Sequence, residues 1–223
     1  KRTYRSLMNS RVILVSDDRS SLRSPDTLLW PDAACMRGIH TGEWTAHIFE
    51  YAMSFEGNMT QVRELAAANG VGVLHPHGAL ATDPPGLIVC DVDSTVTRTE
   101  AIDLLAECAG KADEVREITA RAMVGELDFT QSLYARVRCL EGLHIGALEE
   151  AWKATVITPG TAELVAAAHD VGAAVGLVSG GFTAIVDPLA EQIRADFAAS
   201  NELEIVDNHL TGRVVGDIID RAA

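Results

Sequence analysis

The sequence predicts an α/β protein: a doubly wound parallel-sheet core carrying an inserted helical cap, preceded by a small amino-terminal α+β domain. Three observations lead there. Short apolar runs that end in polar residues, "GLIVCDVD" at 86–93 and "AAVGLVSGG" at 173–181, read as strands buried on both faces. Helical segments alternate with them, the mark of a parallel sheet whose ligands gather at the carboxyl ends of its strands. A Pro84-Pro85-Gly86 break, which neither a helix nor a central strand can cross, separates this part from what precedes it.

The elements follow in chain order. "RVILVSDD" at 11–18 reads as a strand, "WTAHIFEYAMSF" at 44–55 as another and "MTQVRELAAANG" at 59–70 as a helix ended by Gly70, with "VGVLHP" at 71–76 as a third strand. This places an amino-terminal domain at 1–85, linked by "HGALATDPPG" at 77–86. His75 and His77 flank Pro76 near the linker, and without a Cys or acid beside them a solvated pair is the simpler reading. The second domain spans 86–223, with its core at 86–101 and 159–223. "TAELVAAAHDVG" and "TAIVDPLAEQI" are its helices, and "ADFAAS" is a third strand. Residues 102–158, rich in Ala, Leu, Glu and Arg, are too many for one crossover and read as a cap of three or four helices.

Composition narrows the function. Acidic residues number 32 against 18 basic ones, and the formal charge of −14 repels nucleic acid and anionic membrane surfaces. No signal-peptide pattern and no bilayer-length apolar run stands out, and Cys35, Cys90, Cys108 and Cys139 are scattered without a CxxC pair. Reduced thiols in a cytoplasmic protein are expected. The chain starts with Lys, so a few residues in front of it are expected to be missing.

The chemistry gathers at two strand ends. Asp91 and Asp93 stand two apart where the chain turns after an apolar run, so both carboxylates can aim at one point and hold Mg²⁺, one attacking an electrophile while the other moves a proton. Alternatively they end a strand and start a helix, with Ser94 and Thr95 as capping hydroxyls. A lone DxD favours that second reading. Here the other strand end, Ser179-Gly180-Gly181, offers a hydroxyl and bare backbone N–H groups suited to phosphate oxygens, and shifts the weight to the first.

Five segments, "DVDSTVTRTE", "RAMVGELDFTQSLYARV", "TPG", "VSGGFT" and "NELEIVDNHLTGRVVGDI", together resemble the phosphoserine phosphatase family of the haloacid dehalogenase-like superfamily. The resemblance covers about residues 86–223 and leaves the first 85 unassigned. It implies Mg²⁺-dependent hydrolysis of O-phospho-L-serine, the last step of serine biosynthesis. By it Asp91 is the nucleophile that becomes an aspartyl phosphate, and Asp93 is the acid that protonates the serine oxygen and then activates water. It implies Mg²⁺ on the Asp91 side chain and the Asp93 carbonyl, and phosphate on Ser179 and Gly180. Glu100 faces the substrate ammonium, Arg136 holds its carboxylate, and Met123 and Phe129 close over the site. The small-molecule substrate is the expected partner, and a homodimer is allowed. Apart from the resemblance, Glu100 and Arg136 read as exposed helix charges, and Met123 and Phe129 as bundle core.

Two departures matter. Tyr134 stands where the family pattern has a basic residue, a change expected at the cap surface. More important, a lysine and a "GDGxND" segment that the family carries further along are not in this sequence. Asp217 and Asp220 are not substitutes, because "GDIID" falls in a β-hairpin of the match. Lys111 and Lys153 fall in the cap. The chain is therefore expected to be incomplete relative to a working enzyme, with an apolar sheet edge left open beside "GLIVCDVD". The alternatives are a phosphatase of another small phosphomonoester, or a non-catalytic amino-acid-binding product.

Overall fold

The computed structural model describes residues 10–16, 34–40, 45–51, 59–76, 78–81 and 83–220. The chain divides into two compact units, 1–84 and 85–223, within the Pro-Pro-Gly stretch.

The first unit is an antiparallel sheet with one helix. Its strands are β1 (Ser10–Ser16), β2 (Ala34–His40), β3 (Thr45–Tyr51) and β4 (Gly72–Leu74), in the order β2-β3-β1-β4, and α1 spans Met59–Ala68. β1 lies centrally, paired with β3 from Ser10↔Tyr51 to Ser16↔Thr45 and with β4 at Ile13↔Leu74. Leu14, Ala66 and Val71 are buried. The sequence pattern indicates three strands here and misses β2, whose pairing with β3 is interrupted between Cys35 and Arg37. A bulge there breaks the period-two alternation by which a strand is read. His77 lies outside the described residues.

The second unit holds the expected α/β core. β5 (Leu87–Cys90), β6 (Ala174–Phe182), β7 (Phe197–Val206) and β8 (His209–Val215) form one sheet in the order β5-β6-β7-β8. β5, β6 and β7 run parallel, while β7 and β8 make an antiparallel hairpin. The crossover from β6 to β7 is α7 (Thr183–Ile193). The crossover from β5 to β6 carries α2 (Ala101–Cys108), α3 (Ala112–Met123), α4 (Phe129–Arg138), α5 (Gly146–Ala154) and α6 (Thr161–Asp170). α4 starts with a reciprocal capping box, in which the Asp128 carboxylate accepts from the Gln131 N–H and the Gln131 side chain accepts from the Asp128 N–H.

One expectation needs correction. β6 is the strand buried on both faces, with Val175 and Leu177 almost wholly enclosed, whereas β5 has Leu87 51% and Val89 52% exposed. Among the described residues β5 pairs with β6 alone and forms the sheet edge, so its apolar run lacks a neighbour on one side, which is the open edge expected beside that segment.

Two apolar clusters hold this unit together. One packs Val92, Val96, Val165, Val175, Leu177, Leu189 and Ile193 around the sheet. The other joins the helices between β5 and β6 to the rest, since Leu105, Val115, Leu133, Val137 and Leu140 share it with Phe182, Ile185, Leu203 and Leu210. No described helix is long and apolar enough to cross a membrane. Because Leu105 is fully enclosed in that second cluster, Leu105→Ala should lower the urea midpoint by an amount equal to about 2–5 kcal/mol. An unchanged midpoint would contradict this packing.

Candidate active site

Strand geometry brings the two polar strand ends together. Asp91 leaves β5 in extended conformation, and residues 92–96 then wind one wide turn in which Asp93 stays extended and Ser94 takes φ 56°, ψ 12°. Val92 and Val96 are buried in this turn and anchor it to the sheet core. On β6, pairing with β7 lapses between Val178↔Ala199 and Phe182↔Asn201. Ser179, Gly180 and Gly181 thus arch out of the ladder beside Asp93.

The Asp93 carboxylate is held from both sides. Oδ1 accepts from the Ala101 N–H at 2.8 Å, at the start of α2, and Oδ2 accepts from the Ser179 hydroxyl at 3.2 Å. The Gly181 N–H in turn donates to Ser179 Oγ at 2.8 Å. A Cβ on Gly181 would stand 2.7 Å from Asp93 Oδ2, and one on Gly180 would stand 2.7 Å from the Phe129 ring, so neither position admits a side chain without displacing a neighbour. The buried Asn201 braces the arch from β7, its Nδ2 donating to the Gly180 carbonyl at 3.0 Å while its Oδ1 accepts from the Ile219 N–H at 2.9 Å. Asp91 is freer. It is exposed and accepts one hydrogen bond, from the Thr95 hydroxyl at 3.2 Å.

These groups open onto a cavity of about 250 Å³. Asp91, Asp93, Glu100, Phe129, Arg136, Gly180 and Gly181 line it, and Ile102, Leu133 and Phe182 contribute apolar wall. A second cavity of about 240 Å³, lined by Cys90, Val96, Leu164 and Val165 among others, is apolar and contains none of the carboxylates.

Burial pushes the Asp93 carboxyl above its ordinary value, and negative Glu100 and Asp91 act in the same direction, against the hydrogen bonds from Ala101 and Ser179. Burial pulls the Arg136 guanidinium below its usual value, while Glu100, Asp103 and Asp93 act oppositely. It remains a cation at neutral pH. Its Nε donates to the Ser132 carbonyl at 3.4 Å, and among the described residues no carboxylate pairs with it within 4 Å. The cavity is therefore lined by one cation, Arg136, and three carboxylates, Asp91, Asp93 and Glu100.

Several expected residues sit elsewhere. Met123 does not line the cavity: it ends α3 and is 84% exposed. Ser179 is buried with its hydroxyl donating to Asp93 and is not among the residues lining the cavity. Ser94 and Thr95 cap no helix; their hydroxyls go to Glu100 and Asp91. Asp217 and Asp220 are outside the lining, and Lys111 and Lys153 pair with Glu114 and Glu149 on exposed helix faces. Ile102, Leu133, Gly181 and Phe182 line the cavity without having been singled out in the sequence. Among the described residues no three His, Cys, Asp or Glu side chains cluster as a metal site.

Residues 88–223 match the haloacid dehalogenase-like hydrolase family, and the chain belongs to it. Within that family it is 49% identical to a phosphoserine phosphatase of Streptomyces coelicolor over 157 residues, which are 70% of this chain and 38% of that protein. Of the solved structures, a probable phosphoserine phosphatase from Vibrio cholerae is 33% identical with a TM-score of 0.72, covering 94% of this chain and 64% of that one. A phospho-aspartyl intermediate analogue of phosphoserine phosphatase is 39% identical with a TM-score of 0.58, covering 61% of this chain and 66% of that one. The chain thus spans less than half the length of the Streptomyces relative.

The raised Asp93 value has a consequence for stability. A carboxyl that binds its proton more tightly folded than unfolded supports folding fully below its ordinary range and loses that support as pH rises through its folded value. An asparagine amide in its place does not titrate. In chelator-treated protein, the stability of Asp93→Asn relative to the parent should therefore improve as pH rises from about 4 to 7, read by urea unfolding. A difference that is flat with pH would contradict the burial of this carboxyl.

Proposed function

We propose that the protein hydrolyses O-phospho-L-serine to L-serine and phosphate through an aspartyl phosphate on Asp91. The observation that carries this reading is the single cavity that joins Asp91 and Asp93 to Glu100 and Arg136. Phosphoserine offers a phosphate, an ammonium and a carboxylate on one small skeleton. Recognition of it requires an anion-binding arch, a negative group and a positive group at close quarters, and the relatives' names agree with that match.

The proposed chemistry follows from how differently the two aspartates are held. Asp91, exposed and accepting one weak hydrogen bond, keeps a carboxylate oxygen free to attack phosphorus. As that bond forms, the ester P–O bond breaks, and Asp93 gives its proton to the departing serine oxygen. Its raised affinity for a proton suits it to this donation. The resulting Asp93 carboxylate then takes a proton from water while the water oxygen attacks phosphorus. The bond to Asp91 breaks and inorganic phosphate leaves. In this reading the Gly180–Gly181 arch receives phosphate oxygens, Arg136 receives the substrate carboxylate and Glu100 the ammonium. Arg136 suits that role because a planar guanidinium matches a carboxylate in two bonds. The Phe129 ring lies against Gly180 and in this reading closes over the bound substrate. The helices α2–α5 act as the cap.

The cofactor in this reading is Mg²⁺, for which these residues supply part of a ligand set. Both Asp93 side-chain oxygens are already engaged, which leaves the Asp91 carboxylate and the Asp93 main-chain carbonyl as oxygen donors of the kind a hard cation takes. When bound, the ion would offset negative charge on the transferring group.

The test is selectivity. The full-length protein should prefer phosphoserine to a phosphate ester of similar size without the carboxylate. Arg136→Ala should lose about 2–3 kcal/mol of that preference, roughly a hundredfold in kcat/KM ratio. A preference untouched by the substitution would return Arg136 to a structural role.

A further inference from the structure

We propose that Ser94 is a positioning residue for recognition: its hydroxyl fixes the Glu100 carboxylate where the ammonium of a phosphorylated amino acid is received. The proposal rests on the phosphoserine reading of the site and adds a residue to it.

Four described residues other than glycine have positive φ: Ser94, Arg194, Asp207 and Asn208. Arg194 caps the end of α7, and Asp207 and Asn208 form the tight turn between β7 and β8, where left-handed backbone is usual. Ser94 has no such local reason. The backbone at this position favours glycine, yet the residue carries a hydroxyl. The hydroxyl has a use, because Ser94 Oγ donates to Glu100 Oε1 at 2.5 Å across the turn.

Glu100 needs that restraint. It shares the cavity with Asp91 and Asp93, and among the described residues no cation pairs with it within 4 Å. Repulsion from the Asp91 carboxylate, and from Asp93 whenever it is ionised, drives such a side chain outward into solvent. Its backbone is fixed, since the Glu100 carbonyl accepts from the N–H groups of Asp103 and Leu104 at the start of α2. What remains mobile is the side chain, and the Ser94 hydrogen bond holds it. The carboxylate is then already placed when an ammonium arrives, so less ordering is required on binding.

The experiment compares Ser94→Gly with the parent in the full-length protein, supplied with Mg²⁺. Glycine keeps the left-handed backbone and removes only the hydroxyl. The substrates are phosphoserine and the phosphate ester bearing a hydroxyl in place of the ammonium. For Ser94→Gly the KM for phosphoserine should rise roughly tenfold with kcat within about twofold, and the KM for the hydroxyl ester should not move. Calorimetric binding of L-serine should weaken by a similar factor, a readout independent of turnover. Ser94→Asn, which tolerates the backbone and retains a donor, should recover part of the loss. An equal rise for both esters would make Ser94 a turn residue only, and an unchanged preference would overturn the proposal while leaving the phosphatase reading intact. A parent protein without preference for the ammonium ester would overturn both.

Discussion

The Asp93 carboxylate ties three distant stretches of chain to one another. Its two oxygens accept from the first residue of α2 and from the arch in β6, and it stands at the end of β5 itself. A carboxylate this far out of water is costly unless both oxygens are satisfied, and here desolvation, together with repulsion from Glu100 and Asp91, still outweighs the two bonds. The surroundings conform to that constraint. Gly181 can carry no side chain because Asp93 Oδ2 occupies the space, Ser179 is turned inward to donate, and Asn201 fixes the arch from the neighbouring strand. Asp91 escapes these restraints and keeps an oxygen free. Two residues apart, the same side chain thus acquires two different chemical characters from its surroundings.

The proposed recognition and chemistry draw on different layers of one core. Asp91, Asp93 and the glycine arch belong to the sheet, whereas Glu100, Phe129 and Arg136 belong to the helices inserted after β5. These helices are not an independent lobe. Their apolar side chains share a cluster with Phe182 of β6, Ile185 of α7 and both strands of the β7–β8 hairpin. Phe129 meets Gly180 directly, so a shift of α4 would be felt at the arch.

Much of this was legible in the sequence, for physical reasons that also mark where legibility ended. Buried parallel strands announce themselves as unbroken apolar runs, and the polar residues that end them must face a cleft. Asp91, Asp93 and the Ser179-Gly180-Gly181 arch were therefore visible as a pair of sites. Their mutual contact was not, because Ser179 and Asp93 lie 86 residues apart and only the strand order joins them. Ile102, Leu133 and Phe182 line the cavity but read as ordinary core, since an apolar wall and an apolar core have the same pattern. Met123 followed the family motif, yet as the last residue of α3 it is solvent-exposed. β2 was hidden by its irregular pairing, whereas the open edge at β5 followed from the family resemblance and not from the strand's own apolar run, which reads as buried on both faces. The Ser94 hydroxyl looked like a helix cap because serine after an extended residue usually is one.

The division of labour proposed for the two aspartates can be tested directly. Acid-quenching the full-length protein during turnover of phosphoserine and reducing it with borohydride converts an aspartyl phosphate to homoserine, which peptide mass spectrometry can locate. Homoserine at position 91 and unmodified aspartate at position 93 is the predicted result. Homoserine at position 93, or at neither position in protein that is turning over, would contradict the assignment of nucleophile and acid on which the account stands.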